Sequence, residues 1–115
     1  MHEYSIVSAL IDRVDAEARA RNAGRVHKVH VCIGELAGVE VELLATAFTT
    51  FRPTTICADA DLEIRRAPAR WSCPKCSRTL AAGARLRCPD CAVPARLTEG
   101  DEIVLERIEM EVPDV

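Results

Sequence analysis

The stretch Cys73-Pro74-Lys75-Cys76, followed after eleven residues by Cys88-Pro89-Asp90-Cys91, sets the frame for the rest of this chain. Four thiols arrive as two Cys-x-x-Cys pairs. Each pair is short enough for both sulfurs to grip one ion, and the intervening loop lets the pairs meet. Tetrahedral thiolate coordination is what zinc takes in structural sites, so Cys73, Cys76, Cys88 and Cys91 are read as a zinc site. With all four positions filled by sulfur, no open position is left for a catalytic water. Few apolar side chains lie nearby (Leu80, Leu86, Val93 and Leu97), so the metal must supply folding free energy, on the order of 10 kcal/mol for structural zinc in small peptides. Four thiolates on one zinc ion leave a local charge of minus two. Lys75, Arg78, Arg85 and Arg87 lie close enough in sequence to offset it.

A chain of 115 residues suits one domain, or a domain with a small appendage. Hydrophobic residues make up 49% and aromatic residues only 3%, so the core is expected from Val, Ile, Leu and Ala. The net charge of −3 argues against an electrostatic nucleic-acid binder. No secretory signal opens the chain, and no stretch approaches the roughly 20 apolar residues of a membrane span. Six cysteines without an export signal point to metal binding rather than disulfides, and to the cytoplasm.

Working outward from the cysteines, residues 4 to 22 read as an amphipathic helix. Ile6, Leu10, Val14 and Ala18 form its stripe, with Val7 and Ile11 widening it. Gly24 is the expected cap. Residues 25 to 33 read as a strand with Val29, Val31 and Ile33 on one face. Gly34-Glu35-Leu36-Ala37-Gly38 is a loop. A second helix runs from about Glu40 to Phe51, and Pro53 ends it. Leu62 and Ile64 mark a second strand, and Glu102 to Val112 a last one. There Val104, Ile108, Met110 and Val112 share one parity and Ile103 and Leu105 the other, which a bulge or partial burial of both faces would explain.

This order predicts an α+β fold: a three-stranded mixed sheet with two helices on one face and a projecting small zinc-ribbon-like module. The strand–helix–strand unit implies a right-handed crossover and a parallel pair. The second and third strands flank the zinc segment, so they are expected to pair antiparallel as arms of a long hairpin. Residues 1–70 plus 97–115 would form one α/β domain and residues 71–96 an inserted zinc-binding module. A module on hairpin arms suits a monomer or a domain-swapped homodimer.

Met1-His2-Glu3 has two readings. On sequence physics alone, an initiator methionine followed by two arbitrary polar residues is the simpler one. The other has a mechanism. A bulky His2 blocks removal of Met1, so the Met1 amine, the His2 amide nitrogen and the His2 imidazole lie close together. Nitrogen-rich square-planar sets suit Ni(II) or Cu(II), and Glu3 could add an oxygen.

With these motifs in place, the chain resembles the HypA/HybF family of hydrogenase-maturation nickel chaperones over nearly its full length. The resemblance rests on the opening Met1-His2-Glu3-Tyr4-Ser5-Ile6, on Ile33-Gly34-Glu35-Leu36-Ala37-Gly38-Val39-Glu40, on the paired knuckles and on the closing Gly100-Asp101-Glu102 strand. It implies a non-enzymatic metallochaperone with a transferable Ni(II) and a structural Zn(II). His2 would be the principal nickel ligand, with Glu3 and Glu40 associated; the Met1 amine joins them on the chelate reading above. Glu40 stands where some members have Asp. The implied partners are a nickel-binding maturation GTPase and the [NiFe]-hydrogenase large-subunit precursor; some members also serve urease. Cys32 and Cys57 are additional to the family pattern.

Two other classes compete. A zinc-ribbon adaptor could bind protein or nucleic acid without nickel, although the segment lacks the aromatics of a stacking platform. A rubredoxin-like iron carrier would wrap its iron in aromatic side chains, and Trp71 alone is at hand. His27 and His30, three apart on a strand, are expected to face opposite sides and not to share an ion. His30 and Cys32 share a face. Cys57 reads as a small buried hydrophobe.

Overall fold

The computed structural model describes residues 2–80 and 85–113. The first helix, α1 (His2–Ala20), buries Glu3, Val7, Leu10, Ile11, Val14 and Ala18. Its outer face carries the i,i+4 pairs Arg19–Asp15 at 2.9 Å and Arg21–Glu17 at 2.6 Å. The helix begins two residues earlier than the apolar stripe suggests and ends two earlier. Asn22, not Gly24, takes the left-handed cap at φ 54°. The Ala23 N–H donates to the Ala18 carbonyl at 2.8 Å and the Asn22 N–H to the Arg19 carbonyl at 3.2 Å, a Schellman ending. Asn tolerates this conformation better than other residues with a Cβ, so the turn closes before Gly24 is reached.

Strand β1 (Arg25–Gly34) leads to α2 (Val41–Phe51), a 3-10 turn (Arg52–Thr54), β2 (Asp61–Ala67), β3 (Arg70–Ser72), β4 (Arg96–Glu99) and β5 (Ile103–Glu111). The two helices pack on each other, and the Tyr4 and Phe51 rings meet edge to face at 5.4 Å. The main sheet has the order β2-β1-β5. The expected hairpin of β2 with β5 does not form; β1 lies between them. The reason is burial. β1 holds Val26, Val29, Val31 and Ile33 at 0–1% exposure, while β2 and β5 are half-covered at best. The most apolar strand takes the centre and the two charged strands become edges.

The pairing senses follow from the bonds at each end. The Gly24 N–H donates to the Glu111 carbonyl and the Gly34 N–H to the Glu102 carbonyl, so β5 runs antiparallel to β1. Arg25 meets Asp59 before the start of β2, and the Glu35 N–H donates to the Ala67 carbonyl at its end, so β2 is parallel. The sheet is therefore mixed, as the strand–helix–strand unit requires. The two-residue alternation slips once in β1, where Val26 and Val29 are both buried. It slips again in β5, where Leu105 and Ile108 are both half-buried beside a half-buried Glu109. As a result His27 and His30 do not face opposite ways. They reach Glu111 at 3.0 Å and Glu109 at 2.5 Å, carboxylates of one parity on β5.

The chain separates into two compact units: Met1–Cys32 with Val39–Arg65 and Val104–Val115, and Ile33–Gly38 with Arg66–Ile103. The second holds two short strands that the sequence reading missed. β3 pairs antiparallel with β4, placing Trp71 opposite Leu97, with a bulge between Arg70 and Trp71. At the root of this unit the backbone of Gly34 lies against that of Gly100. A Cβ on Gly34 would sit 2.3 Å from the Gly100 carbonyl. The Leu36 N–H donates to the Gly100 carbonyl at 2.7 Å, and Glu35 Oε1 accepts from the Ala69 N–H at 2.9 Å. Gly34→Ala is expected to lower stability by about 1–3 kcal/mol, because backbone rather than a side-chain tip must yield. Urea denaturation of the metal-loaded protein checks this; an unchanged midpoint contradicts the contact.

Candidate metal centres

The second unit is built around sulfur. Cys73 opens a turn in which the Lys75 and Cys76 N–H groups donate to its Sγ at 3.3 and 3.4 Å. The Cys91 N–H does the same for Cys88 Sγ at 3.5 Å. Around each pair the backbone closes the same way. The Cys73 N–H donates to the Arg78 carbonyl, the Ser77 N–H to the Cys73 carbonyl, and the Leu80 N–H to the Trp71 carbonyl. Fifteen residues later Cys88–Val93, Ala92–Cys88 and Ala95–Leu86 repeat these bonds. Ser77 and Ala92, the counterparts at φ 62° and 53°, both take the left-handed conformation. The module is thus a structural duplication whose sequence trace is little more than the cysteines.

The duplication brings four sulfurs together. The Sγ atoms of Cys73, Cys76, Cys88 and Cys91 lie within 4.8 Å of one another. Cys76 and Cys88 Sγ stand 3.8 Å apart. A tetrahedron with Zn–S bonds of about 2.3 Å has edges of about 3.8 Å, so the donor set fits zinc. Among the described residues this is the one group of three or more His, Cys, Asp or Glu side chains whose ligand atoms converge. Two of the four thiols shift in opposite directions. The Cys76 N–H, followed by that of Lys75, draws the Cys73 thiol down to about 6. Hydrogen bonding with Cys73 pushes Cys91 up to about 12. One thiolate forms readily while its neighbour keeps its proton.

The other predicted site lies in the first unit. His2 is the first residue of α1 and Glu3 is buried at 6% exposure, the one charged residue so covered among those described. His2 Nε2 lies 3.4 Å from Glu3 Oε2. The same oxygen accepts the Glu40 N–H at 3.3 Å. Glu3 sits below the usual carboxylate range, held there first by its own backbone N–H and then by that of Glu40, against the cost of burial. The structure therefore joins His2, Glu3 and the start of α2. Glu40 takes part through its backbone, while its side chain is exposed. The Met1 amine lies outside the described residues. His2 and Glu3 stand inside the first helical turn, not on a tail ahead of it. Of the remaining candidates, Cys57 is fully buried and pushed up to about 11 by that burial, and Cys32 is buried in β1. His27 and His30 each face their own carboxylate and do not converge with others on one point.

A small α+β protein with a convergent four-cysteine cluster and a helix-borne amino-terminal histidine matches one known group. A family model described as "Hydrogenase/urease nickel incorporation, metallochaperone, hypA" matches residues 1–110. The chain is 39% identical over 116 residues to the hydrogenase maturation factor HypA of Shewanella sp. (strain MR-7), covering 99% of this chain and 98% of the relative. It is 38% identical to that of Wolinella succinogenes, with the same coverage of both chains. The solution structure of the Ni metallochaperone HypA from Helicobacter pylori superposes with a TM-score of 0.76 at 33% identity, over 98% of this chain and 100% of that one. A second HypA solution structure gives 0.80 at 34% identity, over 96% of each chain. The chain belongs to the HypA family of nickel-incorporation metallochaperones.

Two predictions follow from the cluster's geometry. Ala92 occupies a left-handed position without being glycine. Ala92→Gly is expected to stabilise the zinc-loaded module by about 1 kcal/mol, read as a raised denaturation midpoint. Metal binding must displace the Cys91 proton, so zinc affinity rises with pH across the neutral range. Below about 6 the Cys73 proton must be displaced too, and affinity falls more steeply. Chelator competition measured at several pH values gives the slope; a flat profile contradicts the assignment.

Proposed function

We propose that this protein is a nickel metallochaperone that loads Ni(II) at its amino terminus, and that its four cysteines hold a structural zinc ion. The observation that carries the nickel reading is the placement of His2 at the first position of α1, with Nε2 directed to the buried Glu3 carboxylate. The His2 amide nitrogen sits between the terminal amine and the imidazole along the chain. The Met1 amine, this amide nitrogen and His2 Nδ1 can close two fused chelate rings on one ion. Nε2 then remains to donate to Glu3, the usual outer-sphere support of a metal-bound imidazole. Glu3 and Glu40 are the carboxylates at hand for a further oxygen ligand. Binding requires a neutral imidazole, an unprotonated amine and release of the amide proton, so affinity falls in acid.

Division of labour between the units supports transfer. Nickel ligands drawn from the end of the chain can be replaced one at a time by a partner. Four sulfurs from two interlocked turns cannot be replaced without unfolding the module. The protein acts as a carrier and not as an enzyme. Its cytoplasmic partners are a nickel-binding GTPase and the large-subunit precursor of a [NiFe]-hydrogenase. His2→Ala, or extension of the chain before Met1, is expected to abolish nickel binding and leave one zinc per chain. Equilibrium dialysis with elemental analysis reads both metals; unchanged nickel in the two variants overturns the proposal.

A further inference from the structure

The second unit carries a groove beside the four-cysteine cluster, with Cys88 among its lining residues. It encloses about 590 Å³ and is lined by Arg78, Arg85, Arg87, Leu80, Pro89 and Ala92, among others. Its cations come from successive parts of one segment. Arg78 is tied to Asp90 at 2.5 Å. Arg85 and Arg87 are exposed, and among the described residues neither has an ion pair. The simplest role for these arginines is to offset the zinc thiolates, but they exceed that need. Residues 73–96 hold Lys75, Arg78, Arg85, Arg87 and Arg96 against a single carboxylate, Asp90, in a chain whose net charge is −3. A zinc tetrathiolate carries minus two, which leaves the segment net positive by about two charges.

The lining distinguishes among anions. Leu80, Pro89 and Ala92 give the groove an apolar floor, which inorganic phosphate would leave unused. No aromatic side chain lines it, so it offers no stacking platform for bases. Guanidinium groups beside an aliphatic floor suit a peptide with carboxylates on either side of an aliphatic side chain. We infer that this groove docks an acidic segment of a partner protein, with Arg85 and Arg87 taking its carboxylates and Leu80 contacting its aliphatic residue. The inference does not depend on where nickel binds.

The test is fluorescence anisotropy of the zinc-loaded full chain with a fluorescein-labelled peptide of alternating Glu and Leu. The peptide binds in low salt, and its Gln-for-Glu counterpart binds at least tenfold more weakly. Arg85→Ala with Arg87→Ala lowers affinity at least tenfold with zinc content unchanged. Arg13→Ala with Arg21→Ala, the same charge change elsewhere, leaves affinity unaltered. Equal loss in both double variants overturns the inference by reducing it to net charge. So does absence of peptide binding, displacement by inorganic phosphate at equal concentration, or tighter binding of a labelled single-stranded oligonucleotide.

Discussion

Four sulfurs within 4.8 Å of one another cannot all ionise without a cation among them, and the second unit depends on that constraint. Its fully covered positions among the described residues are Ile33, Gly34, Cys73, Cys88 and Gly100. That is one large apolar side chain, two glycines that let backbones touch, and two of the sulfurs. No ordinary hydrophobic core could come from such a set. A metal ion held by the four cysteines would take its place, and the duplicated turns satisfy the backbone around each cysteine pair.

The first unit solves the opposite problem. It has a conventional core of Val7, Val14, Val26, Val29, Leu44 and Phe48, and among the described residues it places one charged group inside, Glu3. A buried carboxylate is costly unless several donors point at it. Here the start of α1, the Glu40 N–H and the His2 imidazole surround it. The carboxylate ties the chain terminus to the start of α2, and so holds a terminal histidine in place. In the proposed scheme a stable zinc-held module and an exchangeable terminal site coexist because they draw on different ligands and different parts of the core.

Much of this was legible in the sequence, for physical reasons that differ by element. The helix periodicity and the central valines of β1 carry strong local signals, and the cysteine spacing announces a tetrahedral site. The order β2-β1-β5 was not legible, because chain order favours neighbours while burial favours the most apolar strand at the centre. The Asn22 cap was hidden behind Gly24, a better residue for the same task. β3 and β4 are too short for periodicity to mark them; their trace is a Trp71–Leu97 pair whose meaning appears only when the cysteines converge. Ser77 and Ala92 gave no hint of left-handed geometry, since neither is the residue such a position favours. The slip of alternation in β1 likewise turns His27 and His30 together toward β5 carboxylates, which a period of two does not foresee. At the proposed nickel site, the burial of Glu3 was not legible, because nothing local distinguishes it from any acid in a first helical turn.

In the proposed scheme two metals occupy two chemically distinct sites. X-ray absorption of the protein loaded with both nickel and zinc tests it most directly. The zinc edge is expected to fit four sulfur scatterers at about 2.3 Å. The nickel edge is expected to fit nitrogen and oxygen alone, with an imidazole signature. Sulfur in the first shell of nickel, or nitrogen in that of zinc, would contradict it.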